Sequence, residues 1–479
     1  MCKIIIFIVF IFASINSYSQ ELKDITWIEN NLGNKIQVEG ETIKTFSILQ
    51  RMKEYKIPGV SIAIVKDGQI VYVKGFGIAN SNSKTEVTVN TLFQAASISK
   101  PLAALAALKL VEQGKIELDR DVNTYLKTWK IPENKYTSEE KVTLRRLLSH
   151  SAGITVHGFP GYNQKENFPT TIDVLNGKGK SPSVIVDTIP GSTWRYSGGG
   201  YTILQQIVKE ISGMELNEYM EKVIFPEIGL NESTFQQPLK GVKLSLASCA
   251  YNEKGKLYEG NWHNYPETAA AGLWTTPSDL AKYCIHIQNI QSGKIKGILS
   301  KELVFQMLTR QKNNSGLGLG LGRNGDSLLF GHDGKNAGFT NLLLAFANKG
   351  DAIVIMTNGD NGSLIIEEIL RAASTFYGWN IRNYIKLKSI FLEEKDLTKF
   401  TGKYSYEISG KTYFFKSKIR KGKIVFSFRG KNEQIQLTPL GITEFIDSEE
   451  GTTIDFKLND KGEVVGLDWD KQWKVTKIN

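Results

Sequence analysis

Residues 93–108 read FQAASISKPLAALAAL. The second half of this stretch is rich in alanine and leucine, the strongest helix formers, and is apolar on every face, which predicts a buried helix. Ser97 and Lys100 stand three residues apart at its start, so both side chains lie on one side of the first turn. Pro101 is tolerated there, because the first amides of a helix have no internal partner. We therefore expect a serine and a lysine to meet at the start of a buried helix.

This pairing suggests nucleophilic chemistry. Burial lowers the pKa of a lysine, which makes its amine a proton acceptor that can activate a neighbouring serine. The Ser-x-x-Lys spacing occurs twice more, but in settings that indicate ordinary structure. Ser81 lies in a polar turn, and Ser138 lies beside Thr137 and Glu140, which predict a helix-capping box. Only Ser97 precedes an apolar helix.

The composition limits the class of protein. A chain of 479 residues with a net charge of +10 is long enough for two or three domains with a sizeable core. The basic residues are scattered and are not interleaved with aromatic residues, which indicates a solvated surface and not a nucleic-acid site. We expect no nucleic-acid partner.

The first 19 residues predict export. Lys3 is followed by the apolar run 4–13 and by the small-x-small cleavage site 17–19, which is typical of a secretory signal. This run is too short for a good membrane span, and no later segment reaches about 18 apolar residues. We expect a periplasmic or extracellular protein with no stable membrane span after cleavage, and an uncleaved anchor is the alternative.

Cysteine and histidine do not form a metal-binding pattern. Cys249 and Cys284 remain after signal cleavage, and they either form one disulfide or stay as buried thiols. No cysteine or histidine cluster has metal-ligand spacing, so we expect neither a metal nor a cofactor.

The order of elements predicts an α/β fold. A helix over 42–56 precedes a hairpin around Lys66-Asp67-Gly68, and a long helical block follows the Ser97 helix. Within that block Thr276 predicts the cap of a helix that starts at Pro277. From Gly316 the pattern changes to the period of a strand, and a closing helix covers 363–377. Such an order favours an antiparallel sheet flanked by helices, with a helical insert.

The last hundred residues have a different pattern of predicted secondary structure. About eight short β runs lie between Gly402 and Ile478, separated by turns. Their number and spacing predict a small antiparallel, lipocalin-like barrel. The predicted organisation is therefore a signal at 1–19, a main domain at 20–385 and a barrel domain at 390–479, and no catalytic group is evident in the barrel.

Two further motifs complete a candidate site. Tyr196 lies in a glycine-rich loop before a helix, and a neighbouring ammonium would lower the pKa of its phenol towards a useful range. The alternative is that Tyr196 only packs over that helix. The run 331–339, GHDGKNAGF, sets glycines around His332 and Asp333 at a strand, where backbone amides can reach a ligand. A simple turn with an exposed histidine is the alternative.

Taken together, these motifs resemble the serine β-lactamase and penicillin-binding-protein superfamily in its class C-like branch. The resemblance rests on Ser97 to Lys100, then Tyr196 to Gly198, then His332 to Gly334, with supporting runs at 147–153 and 271–280. It covers about residues 42 to 378. The family's fold, a β-lactamase/transpeptidase-like antiparallel sheet flanked by helices, is the expectation that follows.

The resemblance also implies roles. Ser97 would be the acylated nucleophile, Lys100 would hold and relay its proton, and Tyr196 would act as general base and then acid. The backbone amides of Ser97 and Lys335 would form the oxyanion hole. Two more histidines lie near these motifs: we expect His150 to be a core residue and His157 to border the pocket.

Departures from the family pattern narrow the expected function. Class C β-lactamases carry an asparagine where this chain has Gly198, and a Lys-Thr-Gly triplet where it has His332, Asp333 and Gly334. A neutral histidine and an acidic side chain are poor hosts for a substrate carboxylate. Relatives with a histidine here include esterases, D-amino-acid peptidases and amidases. We expect hydrolysis of amides or small esters, including peptides of peptidoglycan origin. A true β-lactamase and a non-catalytic binder of cell-wall peptides are the alternatives.

Overall fold

The computed structural model describes residues 25–408, 411–428, 434–449 and 451–478. The predicted signal, residues 1–19, lies outside the described residues. Packing divides the chain into two compact units, one of which contains Ile48–Glu367, while the other contains Trp27–Ser47 and Glu368–Asn479. The domain limits at 20–385 and 390–479 stay a prediction. Among the described helices, none has the length and apolar character needed to cross a membrane.

The strands, in chain order, are β1 (Ile36–Glu39), β2 (Gly59–Lys66), β3 (Gln69–Asn80), β4 (Thr85–Glu86), β5 (Phe93–Gln94), β6 (Tyr162–Asn163), β7 (His263–Asn264), β8 (Trp274–Thr275), β9 (Gly320–Asn324), β10 (Ser327–Asn336), β11 (Phe339–Phe346), β12 (Ala352–Thr357), β13 (Ile385–Lys388), β14 (Gly402–Ile408), β15 (Lys411–Arg420), β16 (Lys423–Phe428), β17 (Gln434–Pro439), β18 (Glu444–Ile446), β19 (Thr453–Leu458), β20 (Val464–Trp469) and β21 (Trp473–Ile478).

Residues 25–30 are helical. The other α-helices are α1 (Ile48–Tyr55), α2 (Ser99–Glu112), α3 (Lys135–Glu139), α4 (Leu144–Leu148), α5 (Thr171–Leu175), α6 (Gly198–Ser212), α7 (Leu216–Tyr219), α8 (Phe225–Ile228), α9 (Gly241–Leu246), α10 (Thr268–Ala271), α11 (Pro277–Gln291), α12 (Lys301–Met307), α13 (Gly362–Tyr377) and α14 (Glu394–Leu397). Short 3-10 turns cover Ala96–Ile98, Val122–Thr124 and Thr398–Phe400, and a π-helical turn covers Met220–Ile224.

The first unit is built on a seven-stranded sheet in the order β4-β3-β2-β12-β11-β10-β9. Neighbouring strands are antiparallel throughout, and the central strands β2 and β12 are almost fully buried. The predicted hairpin between β2 and β3 is present. Asp67 and Gly68 both have positive φ in its turn, at 52° and 80°, as a two-residue hairpin turn requires. The predicted antiparallel sheet with helices is confirmed.

Helix α2 is the buried helix that the sequence predicts. Eleven of its side chains are buried, including every residue from Ser99 to Leu108. Its alanines let neighbouring elements approach closely, and its leucines join the main core of the unit. The start of α2 is thus held by packing on all sides.

The predicted start of α11 is also confirmed, because Thr276 Oγ1 accepts a hydrogen bond of 3.2 Å from the Asp279 amide.

The helix predicted over 42–56 is shorter than expected. Only Ile48–Tyr55 of this range is helical, and its Leu49 side chain is 59% exposed. The preceding residues are not helical, because the backbone of Phe46 exchanges two hydrogen bonds with that of Leu32. A capping prediction is also wrong in its partners: α3 is capped by Asn134 together with Thr137 and not by Thr137 with Glu140.

The glycine-rich run 316–322 is not the strand that its alternation predicts. Strand β9 begins only at Gly320, and Gly318 has φ +92°. A side chain at Gly318 would approach the Ala104 side chain to 2.5 Å, and one at Gly316 would meet the Met307 carbonyl at 2.2 Å. The glycines therefore allow close packing of the chain against α2 and α12.

The second unit contains the predicted barrel. Strands β14 to β21 pair in sequence order and close into a barrel of eight strands. Aromatic rings fill its interior: Tyr404 stacks on Phe415 at 5.3 Å, and Phe400 packs on Phe456 at 4.5 Å. The same unit contains the parallel pair of β1 and β13. The antiparallel barrel is confirmed, and its core is a packed one.

Candidate active site

Ser97 and Lys100 meet as the sequence predicts. Ser97 lies in the 3-10 turn Ala96–Ile98, directly before α2. The Lys100 Nζ atom lies 3.0 Å from Ser97 Oγ and 2.8 Å from the carbonyl oxygen of Ala270, at the end of α10. The carbonyl fixes the amine, which leaves the amine directed at the serine hydroxyl.

Burial sets the protonation of Lys100. Its two polar partners are uncharged, and the rings of Tyr196 and Tyr201 lie 4.9 and 5.6 Å from Nζ. Removal from water lowers the pKa of Lys100 from 10.5 to about 7. A substantial fraction of the amine is therefore neutral near neutral pH, and the neutral amine can accept the Ser97 proton.

The backbone around Ser97 is strained and closely packed. Ala96 has φ +52°, a conformation that alanine adopts at a cost and that is common at functional sites. Gly334 lies against this segment, and a side chain there would meet the Ala95 carbonyl oxygen at 2.1 Å. Glycine at 334 is therefore needed for β10 to approach the serine.

Tyr196 is the third member of the site. Burial raises the pKa of Tyr196 well above 10, the nearby Ser97 side chain acts in the opposite direction, and the Asp333 carboxylate adds to the increase. The predicted lowering of this pKa is therefore wrong, because desolvation outweighs the lowering effect of the Ser97 side chain. Tyr196 is a neutral phenol that can pass a proton on, while Lys100 is the better base.

Three imidazoles surround the Tyr196 ring. His150 lies 4.3 Å from it, His157 4.9 Å and His332 6.0 Å, measured between ring centroids. His150 is buried, as expected, and its Nδ1 atom accepts a hydrogen bond of 3.1 Å from the Ser197 amide. Desolvation lowers the pKa of His150 well below 6.5, so this ring is neutral. It packs against Tyr196 as a neutral support.

His332 is also neutral. Desolvation lowers its pKa to about 4, and the nearby Lys100 contributes in the same direction. The Nδ1 atom lies 2.6 Å from the Asp333 carbonyl oxygen. Because a carbonyl only accepts, Nδ1 carries the proton in this contact, and Nε2 is left as the acceptor. His332 therefore supplies no positive charge to the site.

Next to the site, β10 extends beyond the end of β9, so this edge of the strand is not paired with β9. Strand β9 pairs only with Ser327–Gly331, whereas β11 pairs as far as Asn336. Asn336 and Phe339 flank a two-residue turn, so antiparallel alternation directs the Lys335 amide away from β11 and towards the open edge. That is the direction expected for a donor to an oxyanion.

Known proteins match this chain over the region that holds the site. The sequence profile of the Beta-lactamase family matches residues 47–374, which is more than half of the chain. The chain belongs to the β-lactamase family. This assignment confirms the resemblance and the expected fold, and it places the chain in a superfamily made up in general of serine hydrolases.

Relatives in the β-lactamase family include penicillin-binding proteins and peptidases. The chain is 26% identical to the Putative penicillin-binding protein PbpX of Bacillus subtilis (strain 168), over 71% of this chain and 83% of that protein. It is 30% identical to a Putative D-alanyl-D-alanine carboxypeptidase of Escherichia coli O157:H7, over 57% of this chain and 69% of that protein. Several other curated relatives are longer, and the chain spans 60–64% of their length.

A solved structure shares the fold over most of the chain. The octameric penicillin-binding protein homologue of Pyrococcus abyssi superposes with a TM-score of 0.62 at 25% identity, covering 90% of this chain and 98% of that one.

The structure explains one departure from the β-lactamase pattern. A side chain at Gly198, where class C enzymes have asparagine, would meet the Phe159 ring at 2.8 Å and the His157 carbonyl oxygen at 3.1 Å. The space for the asparagine is filled by a loop, so glycine is required. The Gly198 amide donates a hydrogen bond of 3.1 Å to the His157 carbonyl, and Gly198 offers no side chain to a substrate.

A buried amide network near the site is not evident from the sequence. Gln94 Nε2 donates to the His263 carbonyl (2.7 Å), and Gln94 Oε1 accepts from Asn336 Nδ2 (2.8 Å). Asn336 Nδ2 also donates to the Ala271 carbonyl, next to the Ala270 carbonyl that holds Lys100. The network ties the segment before the serine to the oxyanion strand. The weak sequence signal was a glutamine in an otherwise apolar stretch.

Metal chemistry has no support in the residues that the structure describes. Among them, no group of three or more His, Cys, Asp or Glu side chains could hold a metal ion. Cys249 and Cys284 are both buried free thiols.

Proposed function

We propose that this chain is an exported serine hydrolase that cleaves amide or ester bonds through an acyl-enzyme on Ser97. The observation that carries the proposal is the 3.0 Å contact between Lys100 Nζ and Ser97 Oγ, with the Lys100 pKa lowered to about 7. A neutral amine accepts a proton at neutral pH. Of the two hydrogen-bond partners given for Lys100, the Ser97 hydroxyl carries a proton to donate and the Ala270 carbonyl does not.

The proposed reaction has two halves. Neutral Lys100 takes the Ser97 proton as Oγ attacks the carbonyl carbon, and the resulting oxyanion is held by the amides of Ser97 and Lys335. The proton then passes through the Tyr196 hydroxyl to the leaving nitrogen or oxygen, whose bond to carbon breaks. Water attacks the acyl-enzyme by the reverse proton path, which releases the acid and restores the serine.

A covalent serine probe tests the proposal. A fluorophosphonate should label the wild-type protein at Ser97 and should not label Ser97→Ala. Lys100→Met should be labelled at least about 100-fold more slowly, because the base is gone. Thermal melts of all three proteins check that they are folded. Absent labelling of the wild type, or equal labelling of Ser97→Ala, would favour the non-catalytic binder instead.

The motif His332-Asp333-Gly334 favours substrates that have no carboxylate next to the scissile bond. The pKa of about 4 keeps His332 neutral, and Asp333 adds an exposed acidic side chain to the same segment of β10, near Tyr196. A substrate carboxylate would find no cation on these two side chains and would be repelled by Asp333. Amides of amino acids, peptides with a blocked terminus, and short esters, including fragments of peptidoglycan, fit this segment better than penicillins do.

A side-by-side assay ranks the candidate substrates. We expect aryl esters and D-alanyl amides to be turned over faster than a chromogenic cephalosporin, which should acylate Ser97 slowly. Rapid cephalosporin turnover would instead identify a true β-lactamase. Export is tested by fractionation of cells that carry the full chain with and without residues 1–19, since only the full chain should reach the periplasm or medium.

A further inference from the structure

The loop 155–159 is held against the start of α6 by backbone contacts. Ser197 Oγ donates to the Thr155 carbonyl at 2.7 Å. The amides of Gly199 and Gly198 donate to the carbonyls of Val156 and His157, at 3.0 and 3.1 Å. The first amides of α6 are therefore satisfied by this loop, and the loop has a fixed position beside Tyr196.

The loop adopts a conformation that only strong local contacts maintain. Val156 has φ +64°, which is an outlier for a side chain branched at Cβ. A side chain at Gly199 would meet the Thr155 carbonyl oxygen at 2.7 Å, so the approach of the loop requires both Gly198 and Gly199. Strained positions that are over-determined by their surroundings cluster at functional sites.

His157 is the exposed side chain that this loop presents beside the proton relay. Its ring centroid lies 4.9 Å from that of Tyr196, with the two planes tilted by 45°. The other two imidazoles around Tyr196 differ from it, because His150 is buried and His332 hydrogen-bonds the Asp333 carbonyl. His157 is therefore the imidazole of the three that is most accessible to a bound molecule.

The position of His157 relative to the reacting carbonyl suggests what it contacts. A carbonyl carbon attacked by Ser97 Oγ lies near the Tyr196 ring, because Lys100 Nζ is 3.0 Å from Ser97 Oγ and 4.9 Å from the centroid of that ring. A polar atom two bonds from that carbon, such as the α-nitrogen of an amino acyl group, then comes within reach of the His157 ring, which lies tilted beside Tyr196. An imidazole can both donate to and accept from such a nitrogen or its amide.

We propose that His157 is a specificity-determining residue that hydrogen-bonds the α-amino or α-amido group of the acyl part of the substrate. The loop provides this contact because Phe159 fills the space of a side chain at 198. The inference rests on the proposed serine hydrolase function. It narrows the proposed substrates to amino acyl amides and esters, in preference to simple acyl esters.

The test compares two aryl esters with one leaving group and acyl parts of similar size. N-acetyl-D-alanine p-nitrophenyl ester carries the α-amido group, and isovaleric acid p-nitrophenyl ester does not. The measured quantity is the ratio of their second-order rate constants for acylation of Ser97, followed by p-nitrophenol release and intact-mass spectrometry. His157→Phe keeps a ring beside Tyr196 without a hydrogen bond, and His157→Asn keeps a polar group of both donor and acceptor type.

We expect His157→Phe to lower the ratio by about 3- to 10-fold, the effect of one hydrogen bond, and His157→Asn to keep it within about 2-fold. The control is His286→Gln, in which glutamine can still accept the hydrogen bond that His286 Nε2 takes from the Ile298 amide. That variant should leave the ratio unchanged. An unchanged ratio in His157→Phe, or an equal fall in His157→Asn, would overturn the role of His157.

Failure of the two proposals can be told apart. If a fluorophosphonate does not label wild-type Ser97, the serine hydrolase function fails. If it labels Ser97 and the ratio does not respond to His157→Phe, or the wild type shows no preference for the α-amido ester, only the inference about His157 fails.

Discussion

Gln94 Oε1 accepts a hydrogen bond of 2.8 Å from Asn336 Nδ2, although the two residues are 242 positions apart in the chain. Gln94 is fully buried three residues before Ser97, and Asn336 directly follows Lys335, whose amide is an oxyanion donor in the proposed mechanism. The contact therefore sets the spacing between the two halves of the proposed oxyanion hole, which must match the position of the developing charge.

We predict that Gln94→Met lowers kcat for an aryl ester by about 10-fold or more while KM changes little, because the misplaced donor stabilises mainly the transition state. The matched control is Gln288→Met. Gln288 is also buried and donates to two backbone carbonyls, those of Phe346 and Asp351, both at 2.9 Å. The two variants should lose similar stability, about 1–3 kcal/mol, and only Gln94→Met should lose kcat. Equal kcat in the two variants would remove the network from catalysis.

The pH dependence of activity should report Lys100. Since the neutral amine is the base and its pKa is about 7, kcat/KM for an aryl ester should rise with pH through about 7 and level off above it. His332, with a pKa of about 4, is neutral throughout and should add no further step between pH 5 and 9. Initial rates over this range measure the profile. A flat profile would mean that Lys100 is not the base.

Removing the Lys100 amine should make the protein more stable. The Lys100 pKa falls from 10.5 in the unfolded chain to about 7 in the folded one, so between these values the unfolded chain binds more protons. The resulting cost to folding is complete below pH 7 and fades as the pH rises towards 10.5. We predict that Lys100→Met raises the free energy of unfolding by about 1–2 kcal/mol at pH 6, with a smaller gain at pH 9.

Thermal or denaturant unfolding at the two pH values measures this gain. Lys109→Met, on the same helix, is the matched control, because Lys109 is only partly buried and its amine donates to the Ile298 carbonyl. That variant should show no gain at pH 6. A loss of stability in Lys100→Met would show that the serine and the Ala270 carbonyl more than offset the cost of burial.

Tyr196→Phe separates the relay from the base. The phenylalanine ring keeps the contacts with His150 and with the Lys100 amine, so folding should be unchanged. We expect kcat for an amide substrate to fall by about 100-fold or more, because a poor leaving group needs a proton, and kcat for a p-nitrophenyl ester to fall much less. Equal losses on both substrates would indicate that Tyr196 acts in the attack step instead.

The parts of the site that could be predicted are those encoded locally. Ser97 and Lys100 share one helical turn, and the alanine-rich run behind them reports burial without any knowledge of the fold. Strand and turn spacing likewise indicated the eight-stranded barrel. The start of α1 was predicted too early, because the backbone pairing of Phe46 with Leu32 overrides a helical pattern of apolar residues.

The remaining features depend on packing between distant segments. The direction of the Tyr196 pKa follows from how completely the site is desolvated, and the sequence records only that a lysine is near. The carbonyl of Ala270 holds Lys100, but a backbone oxygen has no signature in the sequence. The requirement for Gly198 becomes visible only when the Phe159 ring is seen to fill the adjacent space.

The third motif offers a change of specificity as a final prediction. Asp333→Thr removes the carboxylate from β10, and His332→Lys adds a cation in the place of a neutral ring. The double variant restores the Lys-Thr-Gly triplet of β-lactamases, and it should acylate with benzylpenicillin about 10-fold faster or more, since a substrate carboxylate then has a charged partner. Intact-mass measurement of the acyl-enzyme against time gives this rate.

The single variant Asp333→Asn is the control for charge. Asp333→Asn removes the repulsion without adding a cation. Its acylation rate with benzylpenicillin should therefore rise by only about 2- to 5-fold over the wild type, which is less than in the double variant. Rates with an uncharged aryl ester should stay within about 3-fold in Asp333→Asn, because no carboxylate is involved. Equal penicillin rates in the wild type and both variants would show that access to Ser97, and not the charge of β10, excludes β-lactams. The loop at His157 and Phe159 would then be the element that determines substrate choice.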